Sequence, residues 1–329
     1  MSAAPVFIAL TGPTTSGKTD LSLQLAERLP VEIVSMDSRQ VYAGMDIGTD
    51  KVAGEARRAV PHHGLDLVRP DERYSAGRFA RDARGWIREI RGRGATPILV
   101  GGTGFFLRAL LEPVFTEPDL DADRLTALRA YLGLQPPERL ARWVHHLDPA
   151  RAELAVEGGA QRMSRTVEVA LLTGVRLSEW HRTSPPDGEA LPGLVAVLDL
   201  PRDEMDRRID DRVTRMVERG LVEEVRGLAA AGHVDADPGM TGTGYREVAA
   251  YLRGEVGVDE ALDNIRKATR QYARRQLTWF RNQLPADTIR IDGLQPLERQ
   301  ADAVLAAWEA RGGGVALARE SSSSGQEGA

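Results

Sequence analysis

The chain has 329 residues, 42% hydrophobic and 28% charged, with a formal net charge of −5 and no cysteine. That length carries a soft expectation of about two domains with sizeable cores. The missing cysteine excludes a disulfide framework, a thiol nucleophile and a Cys-ligated zinc, and the acidic balance leaves nucleic-acid binding to a local basic face.

Met1 to Pro5 lacks a basic run, and the first apolar run is too short for a signal peptide or a membrane span, so a cytoplasmic, membrane-free protein is expected. That run, Val6 to Leu10, reads as a buried parallel strand. It leads into Gly12-Pro13-Thr14-Thr15-Ser16-Gly17-Lys18-Thr19, which matches the phosphate-cradling P-loop pattern. Leucines at helical spacing follow from Asp20 to Leu29, so the pattern sits at a strand-to-helix turn. There, glycines let backbone N–H groups wrap an anion, and the helix N-terminus adds partial positive charge. Lys18 would meet a terminal phosphate, and the Thr19 hydroxyl would sit on Mg2+. The pattern names a polyphosphate without naming which.

Val31 to Met36 reads as a second strand, with Asp37-Ser38-Arg39-Gln40 at its carboxyl end. In an open α/β sheet that edge faces the ligand crevice, so Asp37 points at the P-loop's ligand unless it only caps a turn. The pairs His62-His63 and His145-His146 read as structural or solvated rather than metal-binding, because neighbouring residues do not face one ion. A helix over 75–93 and a strand over 97–100 follow, and the strand runs into Gly101-Gly102-Thr103-Gly104, a second glycine loop. An apolar helix runs from Phe105 to Leu111.

From Pro113 the pattern turns charged and helical, and strand character returns only at Leu194 to Leu200. The segment 114–193 is therefore expected to be a helical insertion in one α/β core made of 1–113 and 194–311. Within it, Gln161-Arg162-Met163-Ser164-Arg165 clusters polar and basic groups, or forms a solvated helix face. Residues 202–231 read as two helices, on which Arg208 and Arg212 share a face; they reach the crevice or form surface ion pairs. Gly242 to Glu247 opens another helix. The helix expected over 259–284 interleaves Arg266, Lys267, Arg270, Arg274, Arg275 and Arg281 with Tyr272, Trp279 and Phe280. It reads as a phosphate-backbone footprint, as an amphipathic core helix, or as both. A last strand near 288–291, a helix over 296–310 and a disordered tail over 312–329 complete the chain.

These stretches together resemble the bacterial tRNA dimethylallyltransferases, also called tRNA isopentenyltransferases, from Ile8 to about Trp308. The resemblance rests on Gly12 to Thr19, Asp37-Ser38 with Tyr42 and Gly44 to Thr49, Val100 to Thr103, Gln161 to Arg165, Gly244-Tyr245-Arg246, and Ala268 to Trp279. It implies a P-loop NTPase-like parallel sheet flanked by helices, with the insertion contacting tRNA. It implies transfer of a dimethylallyl group from dimethylallyl diphosphate to the exocyclic amine of the adenine 3′-adjacent to the anticodon, with Mg2+ and release of diphosphate, by a monomer.

Carried over by position, Asp37 would be the general base, Thr103 would contact the reacting centre, and Arg212 would join Lys18 and Thr19 on the diphosphate. The tRNA anticodon arm would meet Asp37, Ser38, Arg39, Gln40, Thr103, Gln161, Arg162, Met163, Ser164, Arg165, Gly244, Tyr245 and Arg246. At Asp123-Arg124-Leu125 the order departs from the family's pattern, so Arg124 is not carried over. Small-molecule kinases share the P-loop and the strand-end Asp, and an ATP-switched RNA-binding module would share the P-loop and the basic helix. The kinase has no need of the basic helix, and the binding module no need of Asp37 and Thr103.

Overall fold

A computed structural model describes residues 3–314 except 53, 114 and 117. Most of the expected tail, 315–329, lies outside the described residues. The chain divides into two compact units, Pro113–Glu189 and the remainder.

The larger unit begins with β1 (Phe7–Thr11), wholly buried, and α1 (Lys18–Ala26). Next come β2 (Val31–Ser35), α2 (Gly54–Ala59), β3 (His62–His63), α3 (Ala76–Gly92), β4 (Thr96–Val100) and α4 (Gly104–Leu111). Six strands form one sheet in the order β3-β2-β4-β1-β5-β6, where β5 is Gly193–Asp199 and β6 is Ile289–Asp292. Every pair is parallel, so all strand carboxyl ends share one edge. Parallel strands covered on both faces need apolar side chains on both, and this explains unbroken runs such as Phe7-Ile8-Ala9-Leu10. Ile8, Leu10, Ile98, Leu194 and Leu198 pack with Leu21 and Leu25 of α1 and with Val304 and Trp308. The last two belong to the closing helix Leu297–Ala310.

The His62-His63 pair, expected to be structural or solvated, forms the edge strand β3. His62 Nδ1 lies 2.7 Å from the Val60 carbonyl, and His63 Nε2 lies 2.7 Å from Glu32, which Arg93 also grips through two nitrogens. A two-residue strand offers no periodicity to read, so only its partners reveal it.

The smaller unit is built of α5 (Ala122–Gly133), α6 (Pro137–Leu147), α7 (Ala152–Glu157), α8 (Ala160–Thr173) and α9 (Leu177–Thr183). Leu132, Leu140, Val144, Ala155, Met163 and Val167 form its core. Glu168, buried in α8, is held by both nitrogens of a bidentate Arg129 at 2.9 and 3.0 Å. Phe115 bridges antiparallel to Pro186, and Thr116 N–H donates to the Pro185 carbonyl at 3.0 Å.

The larger unit resumes at β5 and continues as α10 (Arg202–Glu218), α11 (Leu221–Ala230), α12 (Tyr245–Leu252) and α13 (Val258–Gln283), then β6 and α14 (Leu297–Ala310). No helix among the described residues is long and apolar enough to cross a membrane.

Candidate active site

The loop after β1 takes three left-handed or otherwise positive φ values: Gly12 at 147°, Thr15 at 65° and Gly17 at 91°. Gly12 has a second reason to be glycine, since a Cβ there would lie 2.7 Å from the Leu198 carbonyl oxygen. The turn lets Gly17 begin α1, whose first N–H groups have no partner within the helix. Lys18 folds back over the loop, and its ammonium donates to the carbonyls of Gly12 (3.1 Å) and Pro13 (2.6 Å) and to Ser16 Oγ (3.1 Å). Burial pushes its pKa down to about 7, the nearby Arg212 guanidinium adds to the fall, and the Asp37 carboxylate opposes it.

Helix α10 supports the loop from the side. Arg212 donates to Thr14 Oγ1 at 2.5 Å and lies 3.5 Å from Asp50. Arg208 donates to the Thr15 carbonyl at 3.4 Å while pairing with Glu204 at 2.6 Å. Both arginines therefore reach the loop, although sequence reasoning carried only Arg212 to the site. Thr19 stands exposed in the first turn of α1.

The second glycine loop lies alongside, because β4 pairs directly with β1. Its backbone angles are ordinary, and glycine is required there for close approach. A Cβ at Gly101 would lie 2.0 Å from Met36 O, one at Gly102 2.2 Å from Gln276 Nε2, and one at Gly104 2.4 Å from the Trp279 ring. Thr103 Oγ1 accepts the Ser38 N–H at 3.0 Å and donates to Ser38 Oγ at 3.3 Å, tying this loop to the end of β2. Asp37 lies at that junction. Its Oδ1 accepts the Arg39 N–H at 2.8 Å, so Asp37 does cap a turn. A carboxylate has about four lone-pair sites, and the turn uses one.

Tyr272 of α13 completes the neighbourhood. Its phenol is pushed up to about 12 by burial and by the Asp37 charge, while Arg39, the Thr103 hydroxyl and Arg275 oppose the shift. The Arg275 guanidinium lies 5.8 Å from the Tyr272 ring centre. Arg39 and Gln40, expected to meet RNA, also hold scaffold. Arg39 donates to the Pro238 carbonyl (2.8 Å) and Thr241 Oγ1 (3.2 Å), and Gln40 donates to the carbonyls of Thr49 (3.2 Å) and Asp50 (3.3 Å).

Two expected RNA contacts are corrected. Tyr245 is 1% exposed, and its hydroxyl donates to Glu224 at 2.6 Å. That carboxylate also accepts the N–H groups of Asp46, Ile47 and Gly48, so Tyr245 fastens the loop after β2 from inside. Of Gly244-Tyr245-Arg246, only Arg246 offers an exposed side chain, and it is paired with Glu247 at 2.8 Å. Met163 is core of the smaller unit, because position 163 falls on the inward stripe of α8 with Val167. Gln161 and Arg162 are exposed beside it, Ser164 is half-buried, and Arg165 lies 3.7 Å from Glu168.

The basic helix α13 has two faces. Ala261, Ile265, Ala273, Gln276 and Phe280 are buried. Arg266 and Arg270 pair with acids of α10, Arg270 reaching Asp210 at 2.5 Å. Lys267, Arg274, Arg275 and Arg281 stand exposed.

The sequence matches the family model described as IPP transferase over residues 40–283. It is 45% identical to a tRNA dimethylallyltransferase of Thermomicrobium roseum over 83% of each chain, and 42% identical to one of Geobacter metallireducens over 83% of this chain and 89% of that one. The fold matches the crystal structure of a full-length tRNA isopentenylpyrophosphate transferase from Bacillus halodurans, with TM-score 0.66, 34% identity, and coverage of 93% of this chain and 97% of that one. It also matches a eukaryotic dimethylallyltransferase acting on tRNA, with TM-score 0.75, 26% identity, and coverage of 93% and 78%. On the extent of these matches and the shared parallel core, the chain belongs to the IPP transferase family.

Proposed function

We propose that this chain transfers a dimethylallyl group from dimethylallyl diphosphate to the exocyclic amine of the adenine 3′-adjacent to the anticodon in tRNA. The observation that carries this reading is a carboxylate and a hydroxyl, Asp37 and Thr103, set beside an anion cradle and joined to one another through Ser38. The relatives named as tRNA dimethylallyltransferases support the same reading.

In the reaction the allylic C–O bond breaks and a C–N bond forms. The amine loses a proton to Asp37, and diphosphate leaves. An aromatic amine is a poor nucleophile, so a base that takes its proton as the bond forms lowers the barrier. Negative charge grows on the departing oxygens, where the α1 N-terminus, Lys18 and Arg212 stabilise it. Thr103 orients the reacting centre, and the adenine leaves its stack to enter.

The residues present fit Mg2+. Thr19 offers an exposed hydroxyl at the loop, and no cluster of three acid or histidine ligands exists among the described residues. A hard cation bound mainly through substrate phosphates and water needs no such cluster. When bound, it would neutralise charge on the diphosphate.

Arg39, Gln161, Arg162, Ser164, Arg165 and Arg246 are the side chains proposed to meet the anticodon arm, with Asp37, Ser38, Gln40 and Thr103 at the target base; Gly244 is buried, its N–H on Glu247 and its carbonyl accepting from Val248, and is not among them. The enzyme is proposed to act in the cytoplasm as a monomer.

The test is incubation with labelled dimethylallyl diphosphate, unmodified tRNA and Mg2+, with ATP omitted. Label in tRNA at the adenine is the expected result. Transfer of phosphate from ATP to a small molecule, with unlabelled tRNA, would sink the proposal.

A further inference from the structure

Gln276 projects from the buried face of α13 and is 7% exposed. Its Oε1 accepts the Thr14 N–H at 2.9 Å, and its Nε2 donates to the Gly102 carbonyl at 2.8 Å. One amide therefore spans the two glycine loops. Thr14 is also the residue Arg212 grips, and Gly102 immediately precedes Thr103. The loops meet at their bases as well, where Thr11 Oγ1 donates to the Gly101 carbonyl at 3.0 Å. Gln276 supplies the upper link. Gly102 admits it by lacking a side chain, since a Cβ there would lie 2.2 Å from Nε2.

We infer that Gln276 is a positioning residue, setting the separation between the loop that cradles the donor's diphosphate and the loop that carries Thr103. The role rests on the reaction proposed above. A primary amide suits it because one group is both acceptor and donor, and its partners are backbone groups, the Gly102 carbonyl buried and the Thr14 N–H half-buried, that need satisfying. Reacting atoms held about 1 Å out of place lose roughly a hundredfold in rate, so a side chain that touches neither substrate can still govern the chemical step. Arg274 and Arg275, just before Gln276, are exposed, while Phe280, one turn on, faces the core, so the helix that carries the bridge also presents a cationic outer face.

Two variants test it by single-turnover transfer with saturating donor and tRNA. Gln276→Met keeps the volume and removes both hydrogen bonds. Its rate should fall about 10–10²-fold while donor affinity changes less than about threefold. Gln276→Glu keeps the acceptor for Thr14, and only its protonated form can donate to Gly102. The ratio of its rate to wild type, compared at each pH, should therefore climb as pH falls from about 8 to about 5.5, and Gln276→Met should show no such climb. Wild-type rates in Gln276→Met, or a pH-independent ratio in Gln276→Glu, would overturn the bridge. If Gln276→Met does not fold, the Gln276→Glu ratio decides.

An inactive wild type would sink the proposed reaction instead. The bridge would then be judged by hydrogen exchange at the Thr14 amide, which should be faster in Gln276→Met by about tenfold or more, and equal exchange would overturn it.

Discussion

The two glycine loops of the larger unit use the same residue for different reasons. In the first, Gly12 and Gly17 sit at φ values that L side chains resist, and around Gly17 the nearest atom to a Cβ is an Arg208 nitrogen 3.9 Å away. Its glycines supply backbone shape, Gly12 also making room against the Leu198 carbonyl, and the shape supplies N–H groups for an anion. In the second loop, Gly101, Gly102 and Gly104 adopt ordinary angles and are pressed against Met36, Gln276 and Trp279. Its glycines supply proximity, bringing Thr103 and Asp37 next to the first loop. One loop is built to hold charge and the other to place reacting groups.

If that division is right, changes at the second loop should strike chemistry and changes at the first should strike donor binding. Asp37→Asn keeps shape and turn capping but cannot take a proton, so the single-turnover rate should drop by roughly 10²–10⁴-fold. Donor affinity should fall far less, by only the support Asp37 lends the Lys18 ammonium. Near-wild-type turnover in the Asn variant would remove Asp37 from the chemistry and dissolve the comparison.

Lys18→Met should do the reverse, weakening donor binding while tRNA affinity holds in a gel-shift titration. Its pH signature is specific. Folded Lys18 titrates near 7 against 10.5 for the ordinary value. Donor binding to wild type should therefore take up a proton above about pH 7 and weaken with rising pH, by up to about tenfold per unit. In the ligand-free protein the sign is opposite. Between 7 and 10.5 the unfolded chain binds more protons, so Lys18 opposes folding fully below 7 and less as pH rises. Lys18→Met should raise the melting temperature most near pH 7 and least near pH 10, and a uniform or absent gain would contradict the burial argument.

A double-mutant cycle separates shape from proximity. Gly104→Ala should lose about 1–3 kcal/mol by overpacking against Trp279. Adding Trp279→Leu should recover part of it, so that the pair is less destabilised than the two singles summed. Gly17→Ala should be destabilised comparably, with no recovery from Arg208→Ala, because its difficulty is φ. Thermal melts of the set would show whether the two loops respond alike.

The smallest effect concerns the outer face of α13. If Arg274 or Arg275 neutralises a tRNA phosphate, replacing it by Ala should lower the slope of log affinity against log salt by about 0.7–0.9. An unchanged slope would leave α13 with only its inward role.

Much of this was legible because it is local. The first loop announces itself in eight consecutive residues, and the strand that precedes each glycine loop is an unbroken apolar run. The insertion showed as a loss of strand pattern between Pro113 and the return at Leu194, with the observed unit ending at Glu189. What escaped depends on distant partners. Tyr245, assigned to the anticodon arm by the resemblance, is instead enclosed with Glu224, whose carboxylate also holds the backbone of 46–48. Met163 lay within a polar cluster yet on the inward phase of its helix. Gln276 did leave a trace. It falls in step with Ala273 and Phe280 on the core stripe of α13, and a glutamine on such a stripe must find partners inside. Naming those partners required contacts across 262 residues of chain to Thr14 and 174 to Gly102.

The antiparallel bridge of Phe115 to Pro186 has a consequence for how the molecule assembles. β1 and β5 are adjacent strands, Ile8 opposite Leu194, yet the whole helical unit is threaded between them. Closing so long a loop costs entropy that grows with the logarithm of its length, and non-local pairing slows folding. A unit that folds on its own local helices and clips its own ends acts as a short splice, and the sheet closes over the shortened path. The hydrogen bond from Leu191 N–H to the Leu110 carbonyl, 3.0 Å, gathers the two flanks of that splice within the larger unit. Loosening the insertion's interior, as Glu168→Ala would beside Arg129, should therefore slow sheet closure in stopped-flow refolding, and an unchanged rate would mean that the sheet closes before the helices do.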